Sequence, residues 1–140
     1  MVLGCQNSVI PADGSVTSIG SAFIGCSGLT SVTIPNSVRI VETSAFRACS
    51  GLTSIIATDS LIGFRIFSFT GCNRLESVYF IGTEEKWNEI SVGGNPELED
   101  ATTYYYVENA ADVPQDGGNY WHYGTDGVTP VVWGAPSVTA

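Results

Sequence analysis

The sequence predicts an α/β solenoid: a right-handed superhelix of short parallel strands with a 23-residue period, closed by a C-terminal cap and a small β-hairpin. Three observations lead there. First, one seven-residue phrase occurs three times, from Phe23 to Leu29, Phe46 to Leu52 and Phe69 to Leu75, at steps of 23 positions. Second, the same step carries Cys26 to Cys49 to Cys72 and Ser31 to Ser54 to Ser77, and residues 21–43 match residues 44–66 at 10 of 23 positions. Third, the period ends after Phe80, where signals for a helix, a strand and a hairpin take over. A fixed period in the twenties marks a chain of coils, each of which buries its apolar face only against its neighbours.

Each coil opens with a strand. Over Ser31 to Ile34, alternation sends Val32 and Ile34 inward and leaves Ser31 and Thr33 outward. A turn at Pro35-Asn36-Ser37 follows, then a descending apolar segment and a helical or 3₁₀ turn near Phe46. Parallel strands stack about 4.8 Å apart, so equivalent side chains form ladders. The outward ladders are Ser31, Ser54, Ser77 and Thr33, Ile56, Tyr79. Residues 1–20 read as an irregular first coil, because Val16 to Phe23 spans 7 positions where Val38 to Phe46 spans 8. The repeat cysteines fall in an inward ladder beside Phe and Leu. Parallel Cβ vectors suit an S–S bond poorly, so buried free thiols are expected. Glu42 lies one period before Arg65, which places the two side chains together on adjacent coils at the surface.

After Phe80, Thr83 offers an N-cap, Glu84 and Glu85 sit where a first turn favours acids, and Trp87 and Ile90 follow at i, i+3. This predicts a short helix. Val92 to Pro96 turns the chain, and Ala101 to Val107, rich in Thr and Tyr, reads as a final strand. Residues 1–107 thus form one repeat domain, with repeats over 21–80 and a cap over 81–107. Residues 108–118 are an acidic, turn-rich linker. Within 119–133, Tyr120-Trp121-His122-Tyr123 and Val128 to Trp133 flank Gly124-Thr125-Asp126-Gly127, a hairpin signal, and 134–140 look like a tail. A lone hairpin is marginal in water, so this one is expected to pack on the solenoid or on a partner.

Leu29-Thr-Ser-Val32-Thr-Ile34 fits the frame L-x-x-L-x-L, as do Leu52, Ile55, Ala57 and Leu75, Val78, Phe80. These are leucine-rich repeats. The wording Ser-Ala-Phe-x-x-Cys-Ser-Gly-Leu-Thr-Ser-Val-Thr-Ile-Pro-Asn-Ser-Val, read across residues 4 to 107, resembles the BspA-like group of bacterial surface proteins. Gly82-Thr83-Glu84-Glu85-x-Trp87-Asn88-x-Ile90 resembles the segment that closes such arrays. The resemblance implies a non-enzymatic adhesion or recognition protein, extracellular or on the cell surface, with a protein ligand such as a host extracellular protein, and no cofactor.

Composition narrows the alternatives. Hydrophobic residues make up 44 % of the chain and charged residues 14 %, which excludes global disorder. Through residue 86 there are 5 basic and 6 acidic residues; from Trp87 onward there are 8 acidic residues and no Lys or Arg. Such a surface repels phosphate, so nucleic acid and anionic lipid are not expected partners. No stretch approaches the ~18 apolar residues of a membrane span. Val2-Leu3-Gly4-Cys5 looks like the end of a lipoprotein signal, but no hydrophobic segment precedes it, so lipidation of Cys5 is not expected. No C-x-x-C pair suggests a metal. His122, the single histidine, lies at least 50 positions from every cysteine, and no catalytic residue is assigned.

Binding residues are easier to nominate. Ser31, Thr33, Ser54, Ile56, Ser77 and Tyr79 make the outward strand face, the first candidate for contact with a protein. Tyr120, Trp121, Tyr123 and Trp133 of the hairpin are the alternative, as rings that stack on a glycan or bury one another. A third reading is a spacer within a larger surface protein.

Overall fold

The computed structural model of this 140-residue chain describes residue 10, residues 14–20 and residues 23–134. Most of the expected first coil, Cys5 included, and the tail from 135 lie outside them. In chain order the described elements are β1 (Ser18–Ile19), β2 (Ser31–Thr33), β3 (Ile40–Val41), β4 (Ser54–Thr58), β5 (Gly63–Phe64) and β6 (Ser77–Ile81). Then come α1 (Glu84–Glu89), α2 (Pro96–Asp100), β7 (Thr102–Tyr106), a 3₁₀ turn (Ala110–Asp112), β8 (Tyr120–Tyr123) and β9 (Pro130–Val132).

Two sheets wrap one core. A short sheet runs β1-β3-β5, all parallel. The larger runs β2-β4-β6-β7-β8-β9, parallel throughout except for the last pair. Ser31 faces Ser54, which faces Ser77, and Val32, Ile55 and Val78 align in the same way. Strands adjacent in space are one coil apart in sequence, and the curled, mostly parallel sheet is that of a solenoid-like repeat fold.

Alternation explains what fills the space between the sheets. Val32, Ile55 and Val78 point inward and are buried, together with Ile34, Ala57 and Phe80. The turn side contributes a column of rings: Phe23 stacks on Phe46 and Phe46 on Phe69, each at 5.2 Å and within 16° of parallel. That separation is within about half an ångström of the spacing of neighbouring strands, so one ring per coil fills the column. Beside it the thiol of Cys49 donates to the carbonyl of Phe23 (2.9 Å) and that of Cys72 to the carbonyl of Phe46 (3.0 Å). A buried small apolar residue with a weak donor is what this site needs. A hydrogen bond with the Cys49 thiol, and then burial, push the Cys72 thiol far above the ordinary range. Cys26 departs from the expected free thiol, for it is disulfide-bonded, while Cys49 and Cys72 are free. The bond does not join two neighbours of the ladder Cys26, Cys49, Cys72, since the latter two are free, so the torsional argument fails to cover it because that argument concerns only stacked repeat thiols.

Arg65 and Glu42 meet as expected, Nε to Oε1 at 3.1 Å, with both side chains well exposed. At that exposure the pair stabilises by at most about 1 kcal/mol.

The last coil is closed by residues that imitate a missing successor. The Phe46 amide donates to the Ser68 carbonyl of the next coil (2.8 Å), but no further repeat stands beyond Phe69. Instead Asn95, fully buried, accepts from the Phe69 amide (3.3 Å) and the Ser68 hydroxyl (3.1 Å) through Oδ1, and donates from Nδ2 to the Arg65 carbonyl (3.0 Å). Helix α1 forms as its sequence requires: Thr83 caps it by accepting from the Lys86 amide (3.2 Å). Trp87 then stands edge-on to Phe64 and Phe80, and Ile90 and Leu98 are buried beneath. Helix α2 stands where the sequence suggests only a turn, although Pro96 at its start with Glu97 and Glu99 in the first turn is a helix-opening pattern.

Two expectations follow. Gly25, Ala48 and Gly71 occupy equivalent positions in successive coils, and all three have φ near +60 to +90°, at 75, 62 and 88°. Of these three only Ala48 carries a side chain, so Ala48→Gly should stabilise by roughly 0.5–1 kcal/mol in urea melts; a loss would show that strain is absent there. Asn95→Ala leaves a buried amide and hydroxyl unpaired and should cost at least about 2 kcal/mol, with the Phe69 amide gaining the most in hydrogen-exchange rate.

Candidate functional site

The outward positions of the large sheet give a row of hydroxyls that passes into a cluster of rings. Ser31 and Thr33 are exposed, and Ser54, Ser77 and Tyr79 half-buried. Ile56 is not available: only 7 % exposed, it lies in register between Thr33 and Tyr79. A side chain so buried offers a partner almost no surface, so the expected contact role fails at that position.

Strand β7 continues the face. Tyr79 pairs in register with Tyr104, and the two rings stack at 5.3 Å, 20° from parallel. Tyr105, the inward neighbour, instead stands edge-on to Phe80 (6.4 Å). Tyr106 returns to the outer side.

Strand β8 joins the same sheet. Tyr105 pairs with Tyr120 and Tyr106 with Trp121, in parallel, so residues 108–118 lead back to β7. The parity of that register sends Trp121 to the outer face, where it meets Tyr79 (5.4 Å), Tyr106 (5.1 Å) and Tyr123 (4.9 Å). It has no exposed surface, and its indole Nε1 donates to the Phe80 carbonyl (3.0 Å). The partner is what lets an indole be buried at all. A sugar cannot stack on Trp121, which corrects its nomination as an alternative glycan contact.

The hairpin candidates therefore separate. Trp121 and Tyr123 belong to the outer face with Tyr79, forming one belt with Tyr104 and Tyr106. Tyr120 and Trp133 sit on the other side: the Tyr120 hydroxyl donates to the Asp116 carboxylate (2.9 Å), and Trp133 donates from Nε1 to the Val107 carbonyl (2.6 Å). His122 stacks on Trp133 at 3.8 Å, with Nδ1 2.8 Å from the Tyr123 carbonyl; that oxygen only accepts, so this nitrogen carries hydrogen. Tyr104 and Tyr106 are absent from the sequence candidates. Their signal was present, since the alternation Thr102-Thr103-Tyr104-Tyr105-Tyr106 continues the rows of Ser77 and Tyr79.

The belt is electrically neutral. Burial, then Tyr79 and Glu76, raise the Tyr104 phenol, and burial with Tyr106 raises that of Tyr123. Both hydroxyls stay protonated and act as donors and acceptors over ordinary pH. Outward positions of β2, β4, β6 and β7 carry only Ser, Thr, Ile and Tyr. Among the described residues no group of three His, Cys, Asp or Glu side chains is placed to hold a metal ion, and no helix is long and apolar enough to cross a membrane.

The family model described as the BspA type leucine rich repeat region, in 6 copies, matches residues 4–104. No curated protein and no solved structure matches the chain.

The turn that aims β9 supplies a pH test. Asp126 accepts from the Thr129 hydroxyl and from the Val128 and Thr129 amides (2.9 Å each), which lowers its carboxyl from 3.8 to about 2. A depressed acid stabilises above its unfolded value, and that contribution disappears as pH falls from 3.8 through 2. The Thr129 amide shift should therefore titrate near 2; a midpoint near 3.8 would mean that these hydrogen bonds do not form.

Proposed function

Because the chain belongs to the BspA-type leucine-rich repeat family, we propose that it is a non-enzymatic protein-recognition or adhesion module that meets its ligand with the outer face of the large sheet. One observation carries the reading: five aromatic residues from β6, β7 and β8 gather on that face, Tyr79, Tyr104, Tyr106, Trp121 and Tyr123. Tyrosines presented from a rigid sheet offer large contact area at little cost in side-chain entropy. Trp121, locked beneath them, fixes their geometry. The hydroxyls of Ser31, Thr33, Ser54 and Ser77 extend the surface with hydrogen-bonding groups.

On this reading the coils repeat every 23 residues in a right-handed superhelix, as crossovers between parallel strands almost always are. Residues 21–80 supply the repeats, 81–107 the cap, and 119–133 the aromatic end of the face. The setting is the bacterial cell surface or its surroundings, with a host extracellular protein as ligand.

Capture from extracellular-matrix and serum proteins tests this. Wild-type protein, Tyr79→Ala and Tyr104→Ala are compared with Ile62→Ala, which alters an exposed residue beside the short sheet. Capture that falls at least about tenfold with either tyrosine variant and persists with Ile62→Ala supports the outer face. Equal capture by all four proteins would favour a spacer.

A further inference from the structure

The outer face has no charge of its own, yet it stands in an acidic half-molecule. All 8 acidic residues after Trp87 lie on a stretch without Lys or Arg. Tyr106 belongs to the belt and also lines, with the inward Tyr105 and Tyr120, a groove of about 330 Å³ that carries Glu84, Glu85, Asp112 and Asp116 and so leads from the edge of the belt toward the other side of the sheet. Glu76 acts on Tyr104 from the β6 side. The two ion pairs among the described residues, Arg65 with Glu42 and Lys86 with Glu89, involve none of these five carboxylates.

We propose that the belt and the adjoining groove take a basic segment of a polypeptide, with arginines lying on the Tyr79, Tyr104 and Tyr106 rings and further cations entering the carboxylate groove. This rests on the reading of the outer face as the contact surface, and adds the chemistry of the partner. Two forces select that occupant. A phenol ring is negative over its face and attracts a cation, and a planar guanidinium can stack where an ammonium cannot. The surrounding carboxylates concentrate cationic partners near the face before contact. A neutral glycan would gain no long-range attraction from those acids, and the ring best suited to it, Trp121, is covered.

Isothermal titration of the full chain in 0.15 M salt with four probes tests the proposal: 13-residue peptides alternating Ser with Arg, Lys or Glu, and a neutral glucose hexasaccharide. The Arg peptide should bind, the Lys peptide more weakly, the Glu peptide and the hexasaccharide not at all. Tyr104→Leu, which keeps apolar bulk but removes the ring, should weaken the Arg peptide about threefold to tenfold, and Tyr104→Phe should retain it. Glu42→Gln, just past the end of β3 in the short sheet, should leave it unchanged. Thermal midpoints of the variants separate lost binding from lost folding; if Tyr104→Leu unfolds, Tyr106→Leu is read instead. Failure of the Arg peptide to bind, equal binding to the Leu variants, or preference for the hexasaccharide overturns the proposal. If the peptide fails while Tyr104→Ala still abolishes protein capture, only the basic partner is wrong; if both fail, the outer face is.

Discussion

Each coil of this protein completes the hydrogen bonding of its neighbour, and everything else follows from that dependence. The Thr53 amide donates to the Thr30 carbonyl, Glu76 to Thr53 and Thr102 to Glu76, each within 2.9 Å. On the opposite side Arg39 donates to Thr17 and Ile62 to Arg39. A backbone so arranged fixes the rise between coils, and the rise selects the side chains. Only a flat ring per coil fills the Phe23, Phe46, Phe69 column at that spacing, and only a small donor fits beside it at Cys49 and Cys72. The repeated wording of the sequence is the imprint of a repeated hydrogen-bonding distance.

The same dependence makes the end of the array the difficult place. An open coil would leave amides unpaired and a strand edge free to pair with another molecule. The chain answers in two ways. On the turn side a single amide side chain, Asn95, does for Phe69 and Arg65 what the backbone of a further coil would do. On the strand side the sheet continues through β7 and β8, and ends in the antiparallel β9, where Pro130 opens the strand and removes one donor from the edge.

How much of this could be read from the sequence varies with the kind of residue. Columns of Phe, Cys and Leu were legible because identity at a fixed step leaves one packing solution, and the pairing of Arg65 with Glu42 came from the same subtraction. Helix α1 was legible from its cap and its i, i+3 apolar pair. Asn95 was not, because a buried polar residue that mimics backbone occurs once and leaves no pattern. The outer face was legible in part: alternation identified Tyr79, but Ile56 is buried, and alternation alone does not tell a buried outward position from an exposed one. Separate treatment of β7 as a cap and β8 as a hairpin hid the belt, since both strands carry outward rings only if they share one register.

That shared register explains why the aromatic residues collect where they do. From β6 to β7 the pairing advances from Tyr79 to Tyr104, room enough for α1 and α2 to cover the core; from β7 to β8 it advances only from Tyr105 to Tyr120. The shorter connection contains a single 3₁₀ turn and no α-helix that could cover the inner side of β8. Its residues must find their apolar burial elsewhere, and the outer face is the available surface. Trp121 reaches across β7 to the Phe80 carbonyl and gathers Tyr79, Tyr106 and Tyr123 over itself. The belt is therefore first a device that holds β8 and β9 to the sheet. Recognition, if it uses this surface, uses rings already fixed by the fold, and a partner meets them with little further ordering cost.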